Sequence, residues 1–166
     1  MLLKVFLVRH GHADSDIPDG LDDAARALTH KAREAVFEHF AGLRQRMRGV
    51  DRVLTSPLVR TVQTAQILAI AQGLEVPLKA HRSLLPDMPV GSQEKLLSAH
   101  LDETLVLVGH NPSIPAMAAH LMRMAQLPRK VSPGTVVGLE LDSLEDPAQL
   151  LFFAPPGEAV VEDLES

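Results

Sequence analysis

The chain has 166 residues, 46% of them apolar, and a formal charge of −5 at pH 7. That is enough for one domain with a proper core, and too acidic a balance for nucleic acid to be the natural partner. With no Cys, Trp or Tyr, disulfides and thiolate-bound zinc are excluded. The absence of cysteine also fits the cytoplasm. The opening apolar stretch is too short for a secretory signal, and no later run approaches the ~20 residues that span a bilayer. No membrane partner is therefore expected, and a monomer is favoured.

In chain order, residues 2–8 form an apolar run that stops at Arg9-His10-Gly11-His12. This is the pattern of a buried strand with a polar cluster at its carboxyl end. Residues 14–20 are loop by composition, and 22–26 are a helical turn or more loop. Thr29 is placed to cap a helix in which Ala32, Ala35, Val36, Phe40 and Leu43 recur at helical spacing. That helix is predicted to run to about Met47 and to end at Gly49. Val50 to Thr55 is a second strand. Ser56-Pro57 reads as an N-cap followed by proline at the first helical position, opening a helix that reaches Gly73. Residues 76–78 are a short extended piece, 81–91 an irregular excursion, and Ser92 caps a short helix through Leu96 and Leu97.

Thr104 to Gly109 is a second wholly apolar strand, ending on His110-Asn111-Pro112. The helix after it carries Ile114, Met117, Ala118, Leu121 and Met122 on one face and stops at Pro128. Residues 136–141 and 149–153 read as a hairpin, and 155–166 as an acidic tail expected to be partly disordered. Strands alternating with helices predict an α/β fold: a three-layer α/β/α sandwich with a mostly parallel central sheet and an antiparallel edge. The division expected is a single domain over 1–155 and a tail over 156–166.

In a parallel sheet the carboxyl ends of the strands share one edge, so three separate clusters can meet there. Arg9 and Arg60 offer rigid forks of donors that suit phosphate oxygens. Arg60 also stands in the first turn of its helix, where the dipole and free N–H groups favour anions. His10 offers a nucleophilic imidazole nitrogen, and His110 a second imidazole. To attack, His10 must be unprotonated. The surrounding cations are expected to lower its pKa, and a carbonyl accepting from its other nitrogen would set the tautomer. Gly11 lets backbone approach closely and take a dihedral that other residues resist. His12 either lines the site or is an ordinary loop histidine. Asn111 either orients His110 or caps the helix behind it. Ser56 is read as a cap, and Gln63 and Thr64 either belong to the site's motif or pack the helix start. His10-x-His12 could instead be a metal pair of a barrel hydrolase, but that architecture takes about 250 residues and leaves the Arg60 cluster unexplained. Two arginines, two histidines and a helix N-terminus make a phosphate box built without metal.

Leu7-Val8-Arg9-His10-Gly11-His12-Ala13, with its Arg-His-Gly (RHG) motif, resembles the signature of the histidine phosphatase superfamily. Ser56-Pro57-Leu58-Val59-Arg60-Thr61-Val62-Gln63-Thr64-Ala65 resembles its second motif, and Val108-Gly109-His110-Asn111-Pro112 its third. The short chain and the small insert after Gly73 resemble the SixA branch of bacterial phosphohistidine phosphatases. The resemblance implies a phosphoglycerate-mutase-like fold and a phosphatase that works without cofactor or metal. It makes His10 the nucleophile that carries the phosphoryl group. Arg9, Arg60 and His110 would hold the phosphoryl oxygens, with Gly11, His12 and Asn111 beside them as substrate contacts. The partner implied is a phosphorylated protein, through its phosphohistidine, or a small phosphate ester. A module that holds phosphate without turnover is the alternative.

Two departures stand out. Relatives carry Leu-Thr-x-x-Gly before the first long helix, where this chain has Leu28-Thr29-His30-Lys31-Ala32. More consequentially, Glu-Leu-x-Pro often supplies the proton donor, and this chain reads Ser83-Leu84-Leu85-Pro86-Asp87. Asp87 is the candidate that remains. An imidazole leaving group can arrive protonated, so the missing glutamate tilts the reading towards phosphohistidine.

Overall fold

The computed structural model describes residues 2–165. Six strands form one sheet: β1 (Leu3–Arg9), β2 (Arg52–Thr55), β3 (Leu78–Ala80), β4 (Thr104–Gly109), β5 (Val136–Leu141) and β6 (Gln149–Ala154). Their order is β3-β2-β4-β1-β5-β6. The first four run parallel, and β5 lies antiparallel to both β1 and β6, so the parallel sheet with an antiparallel edge is as expected. Four helices cover it: α1 (His30–Gly42), α2 (Val59–Gln72), α3 (Val90–Ser98) and α4 (Ser113–Leu121).

The apolar runs are continuous because both faces of the central strands are covered. Val5, Leu7, Leu105 and Leu107 point to one side, into a core shared with Leu96 and Leu97 of α3 and Ile114, Met117 and Leu121 of α4. Phe6, Val8, Val106 and Val108 point to the other, among Val36 and Phe40 of α1 and Ala65 and Leu68 of α2. Each fully buried Leu, Val or Phe contributes about 1.5–3 kcal/mol by leaving water. Gly138 on β5 makes room for an aromatic pair. A Cβ there would sit 2.7 Å from Phe152 Cε1, and Phe152 stacks on Phe6 with ring centroids 5.9 Å apart.

Several boundaries move, each for a local reason. Thr29 does cap α1, its Oγ accepting from Ala32 N–H at 3.0 Å, but the α-helix ends at Gly42 and continues only as a 3-10 turn over Arg44–Arg46. α2 starts at Val59 with Leu58 as its N-cap. Ser56 therefore lies outside the helix, where its Oγ accepts from Leu58 N–H at 3.4 Å, and Thr61 Oγ shares its one proton between the Ser56 and Leu58 carbonyls, 2.8 Å each. Gly73 ends α2 as expected, in the left-handed region at φ 66°. α3 begins at Val90, and Ser92 Oγ donates back to Pro89 O rather than capping. α4 stops at Leu121, well before Pro128, where Arg123 takes φ 60°.

The acidic tail is also more tied down than its composition suggests. Phe153 and Val161 exchange both backbone hydrogen bonds, at 2.8 and 3.0 Å, and Leu164 is buried. Two apolar anchors dock a segment that charge alone would leave free. Ser166 lies outside the described residues.

Candidate active site

Strand register brings the three clusters together. Arg9 pairs with Gly109 across β1 and β4, and Thr55 with Val108 across β2 and β4. One step further on, His10 N–H donates to Gly109 O at 3.0 Å and Ser56 N–H to Val108 O at 2.9 Å. Residues 10, 56 and 110 thus leave the sheet side by side, although they lie far apart in sequence. The His10 and His110 rings meet edge to face, with centroids 5.2 Å apart and planes at 63°.

The expected carbonyl partner of His10 is its own neighbour. His10 Nδ1 lies 2.6 Å from Gly11 O. A carbonyl only accepts, so Nδ1 carries the proton and Nε2 keeps its lone pair. Gly11 is favoured by close packing rather than by an unusual dihedral, since its φ is not among the positive ones. A Cβ there would stand 3.0 Å from Val36 Cγ1 and 3.4 Å from Leu28 Cδ2. Gly11 N–H donates to Thr64 Oγ at 3.1 Å, and Leu28 N–H to Gln63 Oε1 at 2.8 Å. Gln63 and Thr64 therefore tie α2 to the chain on either side of the 12–27 loop, a packing role.

Both histidines are held neutral. His10 is pushed down to about 4, first by burial and then by the Arg60, Arg9 and Arg26 cations, against the pull of the Gly11 carbonyl. Cations do lower it, as expected, but desolvation is the larger cause. His110 falls to about 3, again chiefly by burial, then by His10 and Arg60. These two rings are neighbours, so their titrations are those of a pair. His110 Nε2 meets Ser56 Oγ at 2.8 Å. With the hydroxyl donating, His110 carries its proton on Nδ1, which is buried without a protein partner.

Arg9 ends β1 half-buried. Its Nη1 donates to Val131 O at 2.9 Å, and its buried Nε has no partner. Among the described residues no carboxylate pairs with it. The loop before β5 wraps this arginine: Gly134 N–H reaches Arg9 O at 3.0 Å and His10 O at 3.2 Å. Arg60, only 6% exposed, donates from Nη1 to Asp23 O at 3.1 Å and from Nη2 to Asp23 Oδ2 at 3.2 Å. Its Nε is likewise buried without a partner. Three unpartnered buried nitrogens, on Arg9, Arg60 and His110, would cost several kcal/mol in a purely structural role. A tetrahedral anion carries the kind of acceptor oxygens that such donors lack.

Three candidates remain: Asn111, His12 and Asp87. Asn111 neither orients His110 nor caps α4; its Nδ2 donates to Val131 O at 3.3 Å, the same carbonyl that Arg9 holds. His12 is exposed, and its carbonyl accepts from Thr29 N–H at 3.2 Å. Asp87 is exposed on the turn before α3. Sequence reading missed Asp23, the Ser56–His110 contact and the 131–135 loop. Of these only Ser56 carried a signal, its place one residue past a strand that enters the site. Among the described residues no three His, Asp or Glu are grouped to hold a metal.

Comparison with known proteins agrees with the geometry. The sequence profile of the histidine phosphatase superfamily (branch 1) matches residues 5–85. An uncharacterised protein of Picosynechococcus is 35% identical over 115 residues, 68% of each chain. "Probable phosphoglycerate mutase GpmB" of Yersinia enterocolitica is 40% identical over 79 residues, 45% of this chain and 34% of that one. The chain thus spans about a third of that relative's length. Among solved structures, the protein histidine phosphatase SixA complexed with tungstate superposes with a TM-score of 0.82 at 22% identity, over 92% of this chain and 97% of the other.

Proposed function

We propose, from the premise that this chain belongs to the histidine phosphatase superfamily, that it removes phosphate from phosphohistidine on a protein through a phosphoryl group carried by His10. The observation that carries this reading is the state of His10: neutral, with Nδ1 bonded to the Gly11 carbonyl and Nε2 left as a lone pair, beside two arginines with unpartnered buried donors. His10 Nε2 attacks phosphorus while the bond to the leaving group breaks. Arg9, Arg60 and the Nδ1–H of His110 stabilise the charge that spreads over the equatorial oxygens. Gly11, by its close approach, holds the nucleophile; Asn111 shares the Val131 carbonyl with Arg9; His12, exposed two residues past the nucleophile, is read as a substrate contact. Water then cleaves phosphohistidine at position 10 and restores the ring.

A protein substrate is supported by the short connection between β3 and α3. It holds a 3-10 turn over Arg82–Leu84 and a few further residues, too little chain to fold over the site and enclose a small molecule. The SixA structure it superposes on is that of a protein histidine phosphatase. The likeness to a protein named as a phosphoglycerate mutase favours a second reading, a small phosphate ester. One experiment separates them: kcat/KM on a phosphohistidine-bearing protein beside a panel of phosphomonoesters. The first reading expects the phosphohistidine substrate to lead by at least about tenfold; a sugar or glycerate phosphate in front would overturn it.

A further inference from the structure

Asp23 holds an odd place for an acidic residue. The chain leaves the site at His12 and returns to it at Leu28, with Ala13 and Leu28 bridged antiparallel and Asp14 N–H bonded to Ala27 O at 2.7 Å. Within this loop Asp22 Oδ1 accepts from Ala24 N–H at 3.1 Å and starts a 3-10 turn at Asp23. The turn delivers Asp23 to Arg60, and Arg26 Nε donates to its other oxygen at 2.8 Å. The Asp23 side chain is 61% exposed and that of Arg60 only 7%, so the carboxylate stands on the solvent side of the buried guanidinium. Arg60 and then Arg26 hold its carboxyl below the usual carboxylate range, and its charge reaches His110.

A fixed negative charge beside a phosphate site opposes the binding of a phosphate dianion, and an ionised carboxylate has no proton to give. The missing proton suits one kind of leaving group, and the negative charge offers that group's cationic ring a counter-charge. A phosphorylated imidazole that is protonated on its far nitrogen can leave without an acid. The P–N bond breaks, its electron pair goes to the ring nitrogen, and the proton stays on the far nitrogen, so a neutral imidazole departs as phosphorus bonds to His10. A carboxylate accepting from that far N–H keeps the leaving group protonated. An alkyl phosphate gains nothing, because its departing oxygen needs a proton.

We infer that Asp23 is a specificity-determining residue, whose carboxylate at the outer edge of Arg60 accepts from the far N–H of the substrate's phosphorylated imidazole and so favours imidazole over alcohol leaving groups. This rests on the phosphohistidine reading and adds to it the residue that makes the choice.

The test is Asp23→Asn, with kcat/KM measured at pH 7 on a phosphohistidine peptide and on para-nitrophenyl phosphate, whose leaving group departs without a proton. Asparagine keeps an acceptor for Arg60, and the Asp23 main-chain carbonyl is untouched. The ratio of the two kcat/KM values is expected to shift about tenfold against phosphohistidine, and Asp23→Glu to recover part of it. Arg60→Lys, in contrast, lowers both substrates together. An unchanged ratio in Asp23→Asn, or an equal fall on both substrates, would overturn the inference and leave Asp23 as a prop for Arg60. A parent protein that hydrolyses phosphate esters but no phosphohistidine would instead refute the functional reading, and this inference with it.

Discussion

Two arginines at opposite ends of the parallel part of the sheet make an instructive pair. Arg52 opens β2, and Glu103 just before β4 meets it through both oxygens, with Nε–Oε2 at 2.6 Å and Nη2–Oε1 at 3.3 Å. Asp51 beside it accepts from Thr104 N–H at 2.8 Å. At this end charge and hydrogen bonds balance within the protein. Arg9 closes β1 at the other end with a backbone carbonyl on one nitrogen and no carboxylate. Residue type and sheet are the same; what differs is whether the chain supplies the counter-charge. The fold neutralises Arg52 locally and leaves Arg9 without a carboxylate, which is the contrast that the proposed phosphate site draws on.

The contrast can be broken by substitution. The largest effect belongs to His10→Ala, which removes the nucleophile from the open end: turnover of para-nitrophenyl phosphate should drop by on the order of 10⁴-fold or more, with little change in melting temperature. Next, Arg9→Ala should raise the barrier by about 3 kcal/mol, on the order of a hundredfold in kcat/KM, and weaken vanadate binding. Arg52→Ala should leave both unchanged and cost about 1 kcal/mol of stability at most, measured by urea unfolding. Equal kinetic effects from the two arginines would erase the distinction.

Smaller effects sharpen it. Ser56→Ala removes the hydroxyl at His110 Nε2 and should lower kcat about tenfold while costing about 1 kcal/mol of stability. Ser56→Thr should recover part of the rate. The open end should also set the acid limit of the fold. His10 and His110 titrate below the ordinary histidine value, to about 4 and about 3, so the unfolded chain binds more protons than the native one as pH falls through about 6.5. Stability should decline from there towards pH 4. In the double variant His10→Gln/His110→Gln the decline should be shallower, as thermal melts across that range would show.

The core was legible because its cause is local. Alternate residues of β1 and β4 face opposite helix layers, which requires wholly apolar strands, and such runs are visible at Val5–Val8 and Leu105–Val108. The meeting of the candidate residues was legible because Arg9 closes a strand and His10, Arg60 and His110 each sit one step from a strand or helix end. What escaped depends on pairings between distant segments. That β4 lies between β1 and β2 decides which residue meets His110, and the order is not written in either strand. Asp23 lies in a loop rich in acidic residues and looks like its neighbours until Arg60 is seen 37 positions on. The tail misled for the opposite reason: its acidic composition suggests disorder, whereas two apolar residues suffice to dock it. The depth of His10, the main cause of its low pKa, is likewise a property of the assembled molecule.

The most direct measurement is to quench the protein with acid-labile phosphate chemistry preserved, milliseconds after mixing with a ³²P-labelled phosphohistidine peptide, and to map the label by peptide. The label should appear on the fragment containing His10, in a burst that precedes free phosphate, and should be lost in His10→Ala. Label on another residue, or release of phosphate with none on the protein, would contradict the phosphoryl carrier at the centre of the box.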